Sequence, residues 1–297
     1  MKKVLVTGAT GMLGEKIVSF FSLSSNYKVF ATYRHKKLLS YDNVKWEKVD
    51  LNNKSDLNKI LIFVKPDIII HCAANVNLEQ CELDIADANY MHSNIINEFH
   101  ISSPNSIFVY ISTDSVFNGE KGDYSESDFP DPINNYALTK LKGENQVIKN
   151  FNKYLIIRTN IYGSHSVSNK TSLVEWAISK LNKNEAINGF DNVFFNPVYT
   201  LQLAMVIDTL LRSEVRGIVN VGCDEVISKF SFLKKVAKSF NFNQDLIIKS
   251  NSNNQMFLAR RPLNTSLNNS LLESIIGKKL KLTDGINMLH NDLTNKY

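Results

Sequence analysis

The chain has 297 residues, 43% of them hydrophobic and 21% charged, enough to bury a sizeable core as one large domain or two intimate lobes. Its net charge of +5 comes from basic residues spread without a dense run, which argues against a nucleic-acid partner and suits an anionic small molecule. No apolar stretch approaches a membrane span, and the run after Met1-Lys2-Lys3 stops at Thr7-Gly8, too short for a secretory signal. The three cysteines, Cys72, Cys81 and Cys223, match no zinc spacing, so core filler in a reducing cytoplasm is expected.

Val4, Leu5 and Val6 read as a short buried parallel strand. Gly8, Gly11 and Gly14 follow at a spacing of three, and then Leu13, Ile17, Phe20 and Phe21 mark one face of a helix. Strand, glycine turn and helix are the parts of a dinucleotide-binding crossover, in which the helix N-terminus offers free N–H groups to a pyrophosphate. A second strand is expected over Lys28 to Tyr33. The residue at its end meets the adenine ribose, and an acid there favours NAD. This chain instead reads Tyr33-Arg34-His35-Lys36-Lys37, which favours NADP(H) over NAD(H).

Val44 to Val49 reads as a third strand, residues 54–64 as a helix, and Asp67 to Cys72 as a fourth strand running into Ala73-Ala74-Asn75. One long helix is expected over 84–101 and a fifth strand over Ser106 to Ser112. Ser112-Thr113-Asp114 follows at that strand's carboxyl end, where catalytic groups collect in doubly wound sheets. Tyr136 and Lys140 then share one face of the next helix, with Asn134 or Asn135 as its cap. Tyr154 to Arg158 is a sixth strand. Beyond Gly163 the alternation weakens: helices are expected at 171–182, 200–212, 228–240 and 284–293, strands at 193–196, 218–221 and 245–249, and a mobile loop at 250–255. The fold class is therefore α/β, a doubly wound parallel sheet with a smaller C-terminal substrate lobe. Residues 1–160 form the dinucleotide-binding domain, and 161–297 the lobe, interleaved with the last strands of the sheet.

A phenol has an ordinary pKa near ~10, too high for easy proton transfer at neutral pH. An ammonium one turn away lowers it, a hydroxyl from the Ser112-Thr113 pair orients a carbonyl oxygen, and the phenol protonates that oxygen as a cofactor delivers hydride.

The glycine spacing with Thr7 resembles the extended short-chain dehydrogenase/reductase superfamily. Ser112 to Gly119, Tyr136 to Glu144, Arg158-Thr159, Asn196 to Thr200 and Ala259 to Leu267 resemble its dTDP-4-dehydrorhamnose reductase branch over most of the chain. The resemblance implies an NADPH-dependent reductase of the 4-keto group of a nucleotide-diphospho-6-deoxysugar, serving cell-surface polysaccharide synthesis. It implies Thr113, Tyr136 and Lys140 as catalytic. Around the cofactor it implies Gly11, Met12, Leu13, Asp50, Leu51, Ala73, Ala74 and Asn75, which join Gly8, Gly14 and Arg34 from the motif itself and Tyr136 and Lys140, whose ammonium is expected on the nicotinamide ribose; on the substrate the expected residues are Thr113, Asp114, Arg260 and Arg261. Some members bind magnesium at a dimer contact through glutamates; no such glutamates are identified here, so no metal is expected and a homodimer stays open.

Three departures stand out. Met12 replaces a common Gln, Val76 to Glu79 replace Thr-Ala-Val-Asp, and Asn160-Ile161 stand where rhamnose-forming members place a Trp. The expected catalytic set is thus intact and the sugar pocket altered. Ser115 stands where dehydratases of the superfamily carry a Glu, which ranks dehydration low. A nucleotide-sugar epimerase and a non-catalytic NADP-binding subunit, like the methionine adenosyltransferase regulatory subunit, remain as alternatives.

Overall fold

The computed structural model describes residues 1–35, 41, 43–166 and 171–294. Seven parallel strands form the central sheet in the order β11-β6-β5-β4-β1-β2-β3. They are β1 (Lys2–Thr7), β2 (Tyr27–Tyr33), β3 (Val44–Lys48), β4 (Ile68–His71), β5 (Ile107–Ile111), β6 (Tyr154–Thr159) and β11 (Gly217–Val221). The last comes from the C-terminal half and closes the edge beside β6, with Val219 opposite Ile157.

Helices cover both faces of the sheet, so alternate residues of each strand enter different cores. Val4 and Val6 face α1 (Met12–Ser22) and α8 (Thr200–Arg212), packing with Ile17, Phe21, Leu203 and Ile207. Leu5, between them, faces α2 (Lys54–Val64), α5 (Ile95–Ser102) and α6 (Asn135–Asn150), packing with Leu57, Ile96 and Val147. The strand order reverses between β1 and β4, which opens a crevice at their carboxyl ends.

The helix expected over 84–101 is broken. It is preceded by α3 (Leu78–Leu83), begins as α4 (Ile85–Asn89), widens into a π-turn over Tyr90–Asn94 and resumes as α5. The His92 carbonyl, in this π-turn, accepts a 2.8 Å hydrogen bond from the Tyr110 hydroxyl. Helix α6 crosses this point through Gly143, where a Cβ would stand 2.2 Å from both the His92 carbonyl and the Tyr110 hydroxyl. The glycine is what lets the two backbones approach.

The remaining elements build two further cores, although Val198 and Leu272 among them join the first sheet core. These elements are β7 (Ile161–Tyr162), α7 (Leu173–Leu181), β8 (Ile187–Phe190), β9 (Phe194–Phe195), β10 (Val198–Tyr199), β12 (Ile227–Ser228), α9 (Lys229–Ser239), β13 (Ile247–Ser250), α10 (Ser270–Ile276) and α11 (Leu282–Thr294). Tyr162, Phe195, Phe232 and Ile286 centre one core, and Leu181, Ile187 and Leu233 a second. Of the two-residue strands, β9 falls inside the strand expected at 193–196; the others and α10 carry no periodic signal in the sequence. The segment 250–255, expected to be mobile, is tied down: Asn192 donates to Ser252 Oγ at 2.9 Å and accepts from the Ser252 N–H at 2.9 Å. Among the described residues no helix is long and apolar enough to cross a membrane.

Gly143→Ala is expected to cost about 2–3 kcal/mol, because the added methyl meets a backbone carbonyl that cannot step aside. Urea unfolding should show a lower midpoint with an unchanged slope.

Candidate active site

The glycine turn closes β1 onto α1. Gly8 takes the left-handed conformation (φ +64°), and a Cβ there would lie 2.6 Å from the Ala73 nitrogen. A Cβ on Gly14 would lie 2.2 Å from the Gly8 carbonyl, so α1 can pack onto the turn only without one. Gly11 caps α1 with no side-chain hydrogen bond, which leaves first-turn N–H groups free for an anion. Leu13 turns its side chain into the core, so only its backbone can serve a ligand. Met12 lies beside Gly163. These features fit a dinucleotide pyrophosphate.

An open cleft of about 440 Å³ lies at the ends of β2 and β3, lined by Arg34, His35, Lys48, Asp50 and Asp56. Arg34 is exposed and donates to His35 Nε2 at 2.9 Å. Lys36 and Lys37 lie outside the described residues. Lys48, which the sequence reading did not single out, adds a second cation. Leu51 is buried beside the exposed Asp50. Ala73 and Ala74 stay partly open at the end of β4, and the Asn75 side chain donates to Asp87 at 3.2 Å.

The two hydroxyls after β5 have different partners. Ser112 donates to Glu144 at 2.5 Å, inside a buried pair in which Arg158 Nη2 reaches Glu144 at 2.7 Å. Thr113 is the hydroxyl left beside the Tyr136 phenol. Asn134 caps α6 by accepting from the Ala137 N–H at 2.9 Å, and Tyr136 and Lys140 follow one turn apart. Burial pushes the Tyr136 phenol well above its ordinary value, with the Thr113 hydroxyl pulling the other way and Asp114 adding to the rise. The expected lowering by Lys140 is absent, because that ammonium is engaged elsewhere: it donates to the Ile111 carbonyl at 2.6 Å and lies 4.0 Å from the centre of the Tyr110 ring. Burial lowers Lys140 itself to about 7, against the charge of Glu144. Burial likewise raises the Cys72 thiol to about 12 and Cys81 to about 11, so both stay protonated and unreactive at neutral pH.

Asp114, expected to touch substrate, is fully engaged within the protein. One carboxylate oxygen accepts from Asn160 at 2.9 Å and from the Thr265 hydroxyl; the other accepts from Thr113 at 3.1 Å and Ser115 at 3.3 Å. Asn160, one of the departures, is thus a prop for Asp114. Glu79, another, pairs with Arg261 at 2.6 Å and accepts from the Ala259 N–H at 3.1 Å. Arg260 is exposed, and its carbonyl accepts from Asn134 at 2.9 Å. The sequence reading missed Lys229 at the start of α9. Its ammonium lies 3.4 Å from the centre of the Phe195 ring and has no hydrogen-bond or ion-pair partner among the described residues. Burial lowers it to about 8, with Asp114 pulling up and Arg261 pulling down. No short-range spacing could have flagged it, since Asp114 and Arg261 are far away in sequence. Among the described residues no group of three or more His, Cys, Asp or Glu is placed to hold a metal.

Lys140→Met is expected to stabilise the cofactor-free protein at pH 7 by about 1–4 kcal/mol, as when a buried ionic group gives way to an apolar one. The folded value is about 7 against 10.5 unfolded, so between these the unfolded chain binds the extra proton. Wild-type stability therefore rises with pH across that window. Calorimetry should show the advantage of the variant full below pH 7 and shrinking as pH climbs toward 10.

The family model for the RmlD substrate binding domain matches residues 1–293. Methionine adenosyltransferase 2 subunit beta of Mus musculus is 26% identical over 96% of this chain and 86% of its own length. The dTDP-4-dehydrorhamnose reductase of Aggregatibacter actinomycetemcomitans is 27% identical over 93% of this chain and 94% of its own length. The crystal structure of dTDP-4-dehydrorhamnose reductase from Bacillus anthracis in complex with NADP superposes with a TM-score of 0.82 at 24% identity, covering 98% of this chain and 99% of that one. With its glycine turn, parallel sheet and Tyr-x-x-x-Lys helix, this chain belongs to the RmlD substrate binding domain family, within the extended short-chain dehydrogenase/reductase superfamily.

Proposed function

We propose that the protein is an NADPH-dependent reductase of the 4-keto group of a nucleotide-diphospho-6-deoxysugar, acting in the cytoplasm. The observation that carries this reading is the state of Tyr136: a phenol kept protonated by burial, beside the Thr113 hydroxyl at the carboxyl end of β5. Ketone reduction needs an acid, and a neutral phenol is one. Thr113 orients the carbonyl oxygen, Tyr136 gives it a proton, and Lys140 keeps N–H donors for the nicotinamide ribose besides the one it gives to the Ile111 carbonyl. A bound nicotinamide would supply the hydride. The residues to hold the dinucleotide are the Gly8–Gly14 turn and the Ala73–Asn75 segment, with Asp50 at the adenine end. Arg34, aided by Lys48, would favour a 2′-phosphate and hence NADP. The dTDP-4-dehydrorhamnose reductase from Bacillus anthracis is in complex with NADP and the dTDP-glucose 4,6-dehydratase from the same organism with NAD, so the preference rests on Arg34 and Lys48.

Residues 161–297 serve in this reading mainly as the substrate lobe. Lys229, without a hydrogen-bond or ion-pair partner among the described residues, supplies a cation there for the substrate's diphosphate, with Arg261 nearby. A second reading, a non-catalytic nucleotide-binding subunit, is favoured by the similarity to methionine adenosyltransferase 2 subunit beta.

NADPH oxidation followed by absorbance, with a panel of dTDP-, UDP-, GDP- and CDP-linked 4-keto-6-deoxysugars, separates the two. Turnover with one of them establishes the reductase; silence together with tight NADPH binding favours the subunit. Tyr136→Phe is expected to lower kcat at least ~100-fold with NADPH affinity within about twofold, since only the phenolic proton is lost. Arg34→Ala should weaken NADPH by about tenfold and leave NADH nearly unchanged, read by fluorescence titration.

A further inference from the structure

Two buried histidines lie between the cofactor strands and α6, outside the Tyr-x-x-x-Lys pattern. His71, at the end of β4, meets the Thr7 hydroxyl through Nδ1 at 2.7 Å. His92, in the π-turn, makes the more telling contacts. The Asn75 N–H donates to its Nε2 at 3.1 Å, and its Nδ1 lies 2.9 Å from the Thr139 hydroxyl. A backbone N–H can only donate, so Nε2 accepts and the proton of the neutral ring sits on Nδ1, which donates to Thr139. The Thr139 hydroxyl in turn donates a hydrogen bond to the Asn135 or Tyr136 carbonyl, at 2.8 and 2.9 Å. The imidazole also meets the Tyr136 ring edge-on, with centroids 5.6 Å apart and planes at 88°. Burial and the nearby Lys140 charge, with His71 adding to them, drive His92 down to about 2, so it stays neutral at any working pH.

We propose that His92 is a positioning residue, a rigid neutral bridge that fixes Tyr136 relative to the Ala73–Asn75 segment. One end holds the loop over which the dinucleotide would lie, and the other holds the helical turn between Tyr136 and Lys140. The bridge needs an acceptor at one end, a donor at the other and a flat ring against the phenol. Imidazole supplies all three. His92 touches none of the reacting atoms; it acts through Asn75, Thr139 and Tyr136. The effect on turnover rests on the reductase reading above, whereas the effect on nucleotide binding does not.

The two arms can be cut separately. His92→Gln keeps an acceptor where Nε2 stood and loses the Thr139 link; His92→Asn keeps the group at Nδ1 and loses the Asn75 link. For Gln, kcat should fall about tenfold with the NADPH Kd within about twofold of wild type. For Asn, the Kd should rise about tenfold with kcat at saturating NADPH within about twofold. Thr139→Val, which leaves His92 in place, should reproduce the kcat loss of the Gln variant. Parallel changes in both quantities in both variants, tracking a fall in Tm, would mark a core filler and overturn the proposal, as would a Thr139→Val protein with wild-type kcat. If the wild type reduces no nucleotide sugar, the reductase reading fails and the bridge is read without turnover. The NADPH Kd then reports the Asn75 arm, and amide exchange over residues 137–140 the Thr139 arm. Faster exchange in Gln but not in Asn supports the bridge, and equal exchange in both overturns it.

Discussion

An ammonium buried under a helix must be solvated by the protein or given up, and Lys140 is 3% exposed. Its surroundings read as answers to that constraint. The Ile111 carbonyl takes one of its protons at 2.6 Å, the face of Tyr110 lies beneath it at 4.0 Å, and Glu144 stands one turn along α6. Glu144 is itself buried, so Arg158 and Ser112 hold it in turn. A further positive charge in this space would be intolerable, and the two histidines nearest to it are accordingly neutral. Burial and Lys140 together bring His71 down to about 3 and His92 to about 2. The residues around the candidate acid are therefore set largely by the cost of one cation.

The same constraint explains why α6 runs so close to the π-turn. Tyr110 can face the ammonium only if its hydroxyl finds a partner, because burial also keeps that phenol protonated. The partner is the His92 carbonyl, in the wider turn. Gly143 then removes the one side chain that would hold the two backbones apart. A π-turn at such a place is a common mark of a functional site. Here its consequence is geometric, since it presents the His92 ring to Asn75 on one side and Thr139 on the other.

Much of this was legible in the sequence because it is local. Helices 54–64 and 200–212 match their expected limits, since each has a continuous apolar face, and the first of them has Asn53 as its cap. The glycine turn, the strand ends and the Tyr–Lys spacing are local too. Long-range pairing was not legible. Glu79 and Arg261 are 182 residues apart, Asn160 and Asp114 are 46 apart, and no spacing tells which cation a carboxylate will take. The break in the helix over 84–101 escaped for another reason: a π-turn shifts the apolar face by one residue, which averages out along an otherwise regular pattern. Lys229 was passed over because a lysine at a helix start reads as a solvated surface residue.

The motifs that carry the family resemblance do two different kinds of work. Asp114, Arg158, Asn196 and Thr265 hold the molecule together: Asn196 grips Leu267 through both its amide groups, at 2.8 and 2.9 Å, and Thr265 reaches Asp114 from the other half of the chain. A protein that only bound nucleotide and a partner would need all four. It would have no need of a lysine whose ammonium burial lowers to about 7, because an apolar side chain there would be more stable. Lys229, half-buried and without a hydrogen-bond or ion-pair partner among the described residues, is a second cost of that kind. Stability is commonly given up where activity requires it. Two such cations, Lys140 on the helix of the candidate acid and Lys229 near Asp114, are what the proposed reductase would use and a nucleotide-binding subunit would not.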